Sequence, residues 1–158
     1  MPPPLVVVLL SMAPILELRG AIPLGIAYYG LDWRVVFALA VLSNTLVVPF
    51  IWWLLEPIER FLRKSEKLDR GLTKLYDRTR HRSRKRIETY EEIALFFFVA
   101  VPLPGTGAWT GALITYLFDL PRRKSYAIIF VGVLVAGALT TTLTLAGVGI
   151  FDLLTGDA

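Results

Sequence analysis

Two apolar stretches of this chain, residues 5–30 and 93–118, are each long enough to cross a bilayer, yet both are interrupted in the middle. A spanning helix needs ~20 residues to cover ~30 Å of hydrocarbon. The first stretch carries Pro14, Glu17, Arg19, Gly20 and Pro23, and the second carries Pro102, Pro104, Gly105 and Gly107. Proline removes a backbone donor and clashes with the preceding turn, and glycine weakens a helix further. Clusters this dense break a helix where a single residue would bend it. Irregular backbone at membrane depth is tolerated only where protein or a water-filled cavity covers it. Both stretches are therefore predicted to be re-entrant hairpins, helix–break–helix, with arms of roughly ten residues that reach about halfway across the bilayer.

Two further apolar segments, 33–55 and 126–151, read as ordinary transmembrane helices, the first kinked at Pro49. Only 19% of the chain is charged, against about 25% for a soluble domain. The charge is also concentrated: residues 56–92 account for the whole net charge of +4. This distribution discriminates between topologies. If all four segments crossed, Arg122, Arg123 and Lys124 would lie on the opposite side from 56–92, against the positive-inside rule. If 5–30 and 93–118 enter and leave on one side, linker 56–92 and loop 119–124 are both cytoplasmic and both termini are outside. An inner (plasma) membrane location is expected.

The halves resemble each other. At an offset of 87 residues, Ala13, Leu16, Gly20, Ala21, Tyr29 and Asp32 match Ala100, Leu103, Gly107, Ala108, Tyr116 and Asp119. The expected fold is all-α and integral to the membrane, an inverted repeat of two units, each a re-entrant hairpin plus one transmembrane helix. Residues 1–55 form the first unit and 93–158 the second. They are joined by 56–92, whose apolar Ile58, Phe61, Leu62, Leu68, Leu72 and Leu75 predict an amphipathic helix on the inner membrane surface. Inverted repeats with broken helices are a transporter pattern, with the binding site near the bilayer midplane. Each chain contributes only two full crossings, so a homo-oligomer, a dimer, is expected.

Several classes are set aside. With no cysteine, disulfide scaffolds and thiolate metal sites are excluded. No nucleotide loop, nucleophile–base pair or metal-ligand spacing stands out, so neither enzyme activity nor a cofactor is expected. Arg80–Arg86 is read against lipid headgroups or solvent, not nucleic acid, and His81 as solvated. Leu5–Leu10 has the look of a short signal core, but Pro2, Pro3 and Pro4 precede it with no basic residue; the segment is read as part of the mature protein.

The run Pro14–Gly25 resembles the first signature of the small multidrug export protein family, and Pro102–Gly111 resembles the second. The resemblance covers nearly the whole chain. The family is grouped with the DedA superfamily of membrane proteins, which includes lipid scramblases. The resemblance implies opposed re-entrant hairpins and movement of lipids such as polyprenyl phosphates, coupled to protons. DedA proteins carry arginines in or near the second hairpin, whereas 99–118 has none here.

Glu17 and Arg19 are the only charged residues within either predicted hairpin. Such groups at bilayer depth cost roughly 2.5–3.5 kcal/mol each on insertion scales, so they mark a candidate site. The arms beginning after Gly20 and Gly107 are expected to aim free N–H groups at the midplane, where helix N-termini attract anions. Arg19 would add a bidentate phosphate donor, and Glu17 would exchange a proton. The alternative is that both residues only pin the hairpin tip. Pro23, Pro104, Gly105, Thr106 and Trp109 complete the candidate lining, with Asn44 at mid-membrane. Asp32 and Asp119 are expected to cap the segments that follow them. Three functions are carried forward: a transporter or scramblase of an anionic amphiphile, a proton-coupled exporter of cationic drugs, and a non-transporting membrane organiser. Membrane lipids, an anionic lipid phosphate and protons are the expected partners; nucleic acid is not.

Overall fold

The computed structural model of the chain describes residues 1–62, 64, 73, 88–103 and 105–155. All the secondary structure among them is helical: α1 Pro3–Met12, α2 Glu17–Pro23 continued by a π-turn Leu24–Tyr28, α3 Trp33–Leu62, α4 Glu88–Ala100, α5 Ala108–Leu117 and α6 Arg122–Thr155. The predicted amphipathic linker helix, Arg80–Arg86 and His81 fall outside the described residues. Its two ends are seen as continuations of neighbours, with Glu56–Leu62 belonging to α3 and Glu88–Glu92 to α4.

α3 and α6 are the two helices long and apolar enough to cross a membrane. Their 30 and 34 residues extend ~45 and ~51 Å, more than the ~30 Å of hydrocarbon. One side of α3 buries Ala40, Asn44, Val48 and Ile51, while Leu42, Leu46, Phe50 and Trp53 are exposed on the other. A helix apolar on all sides, yet only half covered by its own chain, suits lipid and not water.

The predicted break in 5–30 is displaced. α1 stops at Met12 because Ala13 precedes Pro14 and is driven to an extended conformation, φ −74° and ψ 137°. The interruption is Ala13–Leu16, and Glu17 opens α2 at φ +47°. Gly20 and Pro23, expected to deepen the break, lie inside α2. Pro23 has no N–H to return to the preceding turn, and the helix widens just after it, with Tyr29 N–H bonding the Leu24 carbonyl at 3.1 Å. Gly30, at φ +62°, then turns the chain so that Leu31 N–H reaches the Gly25 carbonyl at 3.0 Å.

The second break, between Ala100 and Ala108, falls where the prolines and glycines predict it; Pro104 itself is outside the described residues. In both halves the chain folds back about its break. A Cβ added to Gly25 would lie 2.9 Å from Val7 of α1, and one added to Gly111 would lie 2.9 Å from Val99 of α4. Gly132 on α6 admits Val99 equally closely. Small residues at these crossings let helices approach where lipid offers no hydrophobic drive for association.

Both long helices begin after similar turns. Asp32 caps α3 as expected, its Oδ1 accepting from Arg34 N–H at 2.8 Å. Asp119, at φ +53°, is the left-handed residue that ends α5, and Leu120 N–H returns to the Thr115 carbonyl at 3.0 Å. One end of the bundle gathers four elements. Arg122 pairs with Glu56 at 2.8 Å, Lys124 lies 3.7 Å from Glu92, and the Tyr116 hydroxyl bonds Glu59.

Candidate functional site

The two breaks meet. Glu17 opens α2 in a left-handed conformation that few non-glycine residues adopt, and this turns its side chain across to the other half. The carboxylate is buried, with Oε1 accepting from the Trp109 N–H at 3.2 Å in the first turn of α5. The α5 N-cap, Gly107, sits at φ +132°; a Cβ there would lie 1.8 Å from Glu17 Oε2. Gly107 is therefore required twice, once for its backbone angle and once for the space the carboxylate occupies. A carboxylate on a helix N-terminus is favourably placed against the orphan N–H groups and the macrodipole.

Arg19, in the first turn of α2, points the same way. Its Nη2 donates to Thr106 Oγ1 at 2.7 Å and reaches the Val101 carbonyl at 3.4 Å. Thr106 Oγ1 also lies 2.8 Å from the carbonyls of both Val101 and Leu103. The cation thus serves the carbonyl-rich end of the second break, and the anion serves its N–H-rich end. The Nε of Arg19 is buried with no hydrogen-bond partner among the described residues, a donor left over from this arrangement.

The first break is satisfied in return. Trp109 Nε1 donates to the Met12 carbonyl at 2.9 Å, and Asn44 Nδ2 donates to the Ser11 carbonyl at 2.8 Å. These are the last carbonyls of α1, orphaned where the helix stops. Asn44 is fully buried and stands ~17 Å along α3 from Trp33 and ~18 Å from Glu56. The junction is therefore at the mid-depth of the long helix. Asn44 Oδ1 and Ser11 Oγ are buried there without partners among the described residues.

Of the residues singled out from sequence, Glu17, Arg19, Thr106, Gly107, Trp109 and Asn44 converge on this junction. Gly105, at φ +81° and exposed, shapes the loop, and its carbonyl accepts from Thr110 Oγ1 at 2.9 Å. Gly20 and Pro23 belong to the α2 helix and make no polar contact across the junction. No helix starts after Gly20, and the N-terminus after Gly107 is filled by Glu17, so the two open N-termini expected from sequence are not present. Met12, Ser11 and Val101 were missed. They act through backbone carbonyls or a hydroxyl, and side-chain identity gives no signal for that. No group of acidic and histidine residues able to hold a metal exists among the described residues.

A family model described as "Putative small multi-drug export protein" matches residues 17–139. The match spans 123 of the 158 residues, beginning at Glu17 and ending in α6. No curated protein and no solved structure matches the chain.

Proposed function

The chain belongs to the small multi-drug export protein family, and from that premise we propose that it is a membrane exporter of amphiphilic compounds whose working centre is the junction of the two breaks. The observation that carries this reading is the Glu17–Arg19 pair, two charges at mid-depth whose hydrogen bonds run to the opposite half of the chain. In lipid, such charges are expensive and usually mark a substrate or proton path. Glu17 holds α5 by its N-terminus through a negative charge. Taking up a proton removes that charge and weakens the hold, so proton exchange at Glu17 can alternate the two hairpins between joined and parted. In this reading 5–30 and 93–118 are re-entrant and the repeats are inverted. The meeting of loop 119–124 with both ends of the linker, through Arg122–Glu56 and Lys124–Glu92, supports that topology. Four crossings would set those residues a bilayer apart.

The substrate we favour is an anionic amphiphile such as a phospholipid or polyprenyl phosphate. Arg19 puts a positive charge with a spare donor at the junction, and the α5 N-terminus accepts an anion whenever Glu17 leaves it. Transport of cationic drugs is the second reading, favoured by the family description and by the single buried carboxylate. Assembly as a dimer belongs to the same proposal: Ile15 is 89% exposed and Leu103 56% exposed beside irregular backbone, and such backbone must be covered by protein or water at membrane depth.

Proteoliposomes loaded with a fluorescent anionic lipid or a cationic dye separate the readings. Glu17→Gln is expected to abolish proton-driven movement, and Arg19→Ala to abolish movement of the anionic substrate. Both should leave the amount of folded protein measurable by gel filtration. Dye efflux with Arg19→Ala equal to wild type would establish the cationic reading. Full activity of both variants would reduce the pair to a structural clamp.

A further inference from the structure

At the end of the bundle where Arg122 meets Glu56, Pro49 and Trp52 of α3 face Arg122, Arg123 and Tyr126 of α6 across an open groove of about 350 Å³. Its walls are apolar and rigid. Trp52 is 7% exposed, held by Nε1 donating to the Ala112 carbonyl at 3.0 Å, and its ring meets Tyr126 edge-on at 6.4 Å. Its rim is cationic. Arg123 is exposed and Tyr126 half-buried, and neither Arg123 nor the Tyr126 hydroxyl makes an ion pair or hydrogen bond among the described residues. Arg122 does have a partner, Glu56, but both side chains are substantially exposed, 54% and 39%, and such a pair contributes little and exchanges readily. The first turn of α6 holds Arg122, Arg123 and Lys124 with no acidic residue; Arg122 and Lys124 have Glu56 and Glu92 beside them, and Arg123 sits at the positive end of the helix dipole, where a cation is disfavoured unless an anion joins it.

We infer that this groove binds the phosphodiester headgroup of an anionic phospholipid, with the phosphate between Arg122, Arg123 and the Tyr126 hydroxyl and the glycerol and upper acyl chain against Trp52 and Pro49. The inference rests on the membrane-spanning reading of α3 and α6. Charge and shape agree: two guanidinium groups match phosphate oxygens bidentately, tyrosine and tryptophan suit the headgroup level, and basic pockets between helices at the cytoplasmic face recognise anionic lipid. Lipid bound there bridges α3 and α6 at the end nearest the Trp52–Ala112 contact, and so braces the arm that carries Trp109.

The test uses the full chain in nanodiscs and in detergent, with retained lipid counted by native mass spectrometry. Wild-type protein should retain phosphatidylglycerol over phosphatidylcholine by about tenfold, the scale of charge-assisted hydrogen bonds. Arg123→Ala and Tyr126→Phe should each erase most of that preference while their lipid-free melting temperatures match wild type. Equal retention of the two lipids, or an unchanged preference in Arg123→Ala, would overturn the site; an acidic side chain of the linker occupying the groove would read out this way. Displacement of phosphatidylglycerol by millimolar inorganic phosphate would show a free-phosphate site and overturn the lipid assignment. Failure of the chain to incorporate into nanodiscs at all would instead sink the membrane-spanning reading beneath it.

Discussion

At the scale of single residues, the junction depends on Gly107 more than on any other backbone position. Two consequences of its substitution are separable. Any L-residue there strains the backbone by ~1–3 kcal/mol, and its Cβ also collides with the Glu17 carboxylate. Gly105 has the first problem without the second, since nothing lies within 4 Å of a Cβ placed on it. Gly105→Ala is therefore expected to lower the melting temperature modestly and retain transport. Gly107→Ala should lower it further and abolish transport, because Glu17 loses its place on α5. Thermal denaturation in detergent together with vesicle flux checks both; equal behaviour of the two variants would mean that the carboxylate's position is unimportant. The converse polar contact is Trp52 Nε1 to the Ala112 carbonyl, where Trp52→Phe keeps most of the ring and removes the donor. Bonds of this type inside membranes average ~0.6 kcal/mol and reach ~1.7, so a small drop in melting temperature is expected.

At the scale of elements, α1 is held to the second arm of its hairpin by close approach at Gly25, whose Cβ position lies 2.9 Å from both Val7 and Val36. Gly25→Val should wedge α1 and α3 away from the π-turn, at ~1–3 kcal/mol by the usual cost of overpacking. Accelerated proteolysis near the N-terminus would report it. The elements also mark where the sequence could be read and where it could not. The two long helices and the second break were legible because apolar length and proline–glycine density act locally. The first break was legible only as a region. Pro14 stops α1 through its effect on Ala13, but Gly20 and Pro23 lie within α2, and the π-turn that follows Pro23 is not announced by local propensity. The left-handed turn at Asp119, which aspartate tolerates better than most residues, was not read from its chemistry. The pairing of Glu17 with Trp109, and of Arg19 with Thr106, joins residues about ninety apart and follows from the meeting of the halves, which no local pattern encodes.

At the scale of the whole molecule, the end of α3 and the starts of α4 and α6 share one end of the bundle, and Trp33 lies at the other. Single cysteines at Glu59 and Arg123 in this cysteine-free chain should react with an impermeant maleimide from the same side of the membrane, and a cysteine at Trp33 from the opposite side. Labelling of Glu59 and Arg123 from different sides would refute the topology. The mutual satisfaction of the breaks also bears on how the protein is made. Met12 and Trp109 are 97 residues apart, which at ~5–20 residues per second is roughly 5–20 s of translation. Throughout that interval the amino-terminal half holds the Glu17 carboxylate and the Met12 carbonyl without the Trp109 partners they have in the finished chain. A newly inserted first half must therefore be sheltered by the insertion machinery, or wait at the water interface, until the later half emerges to complete it.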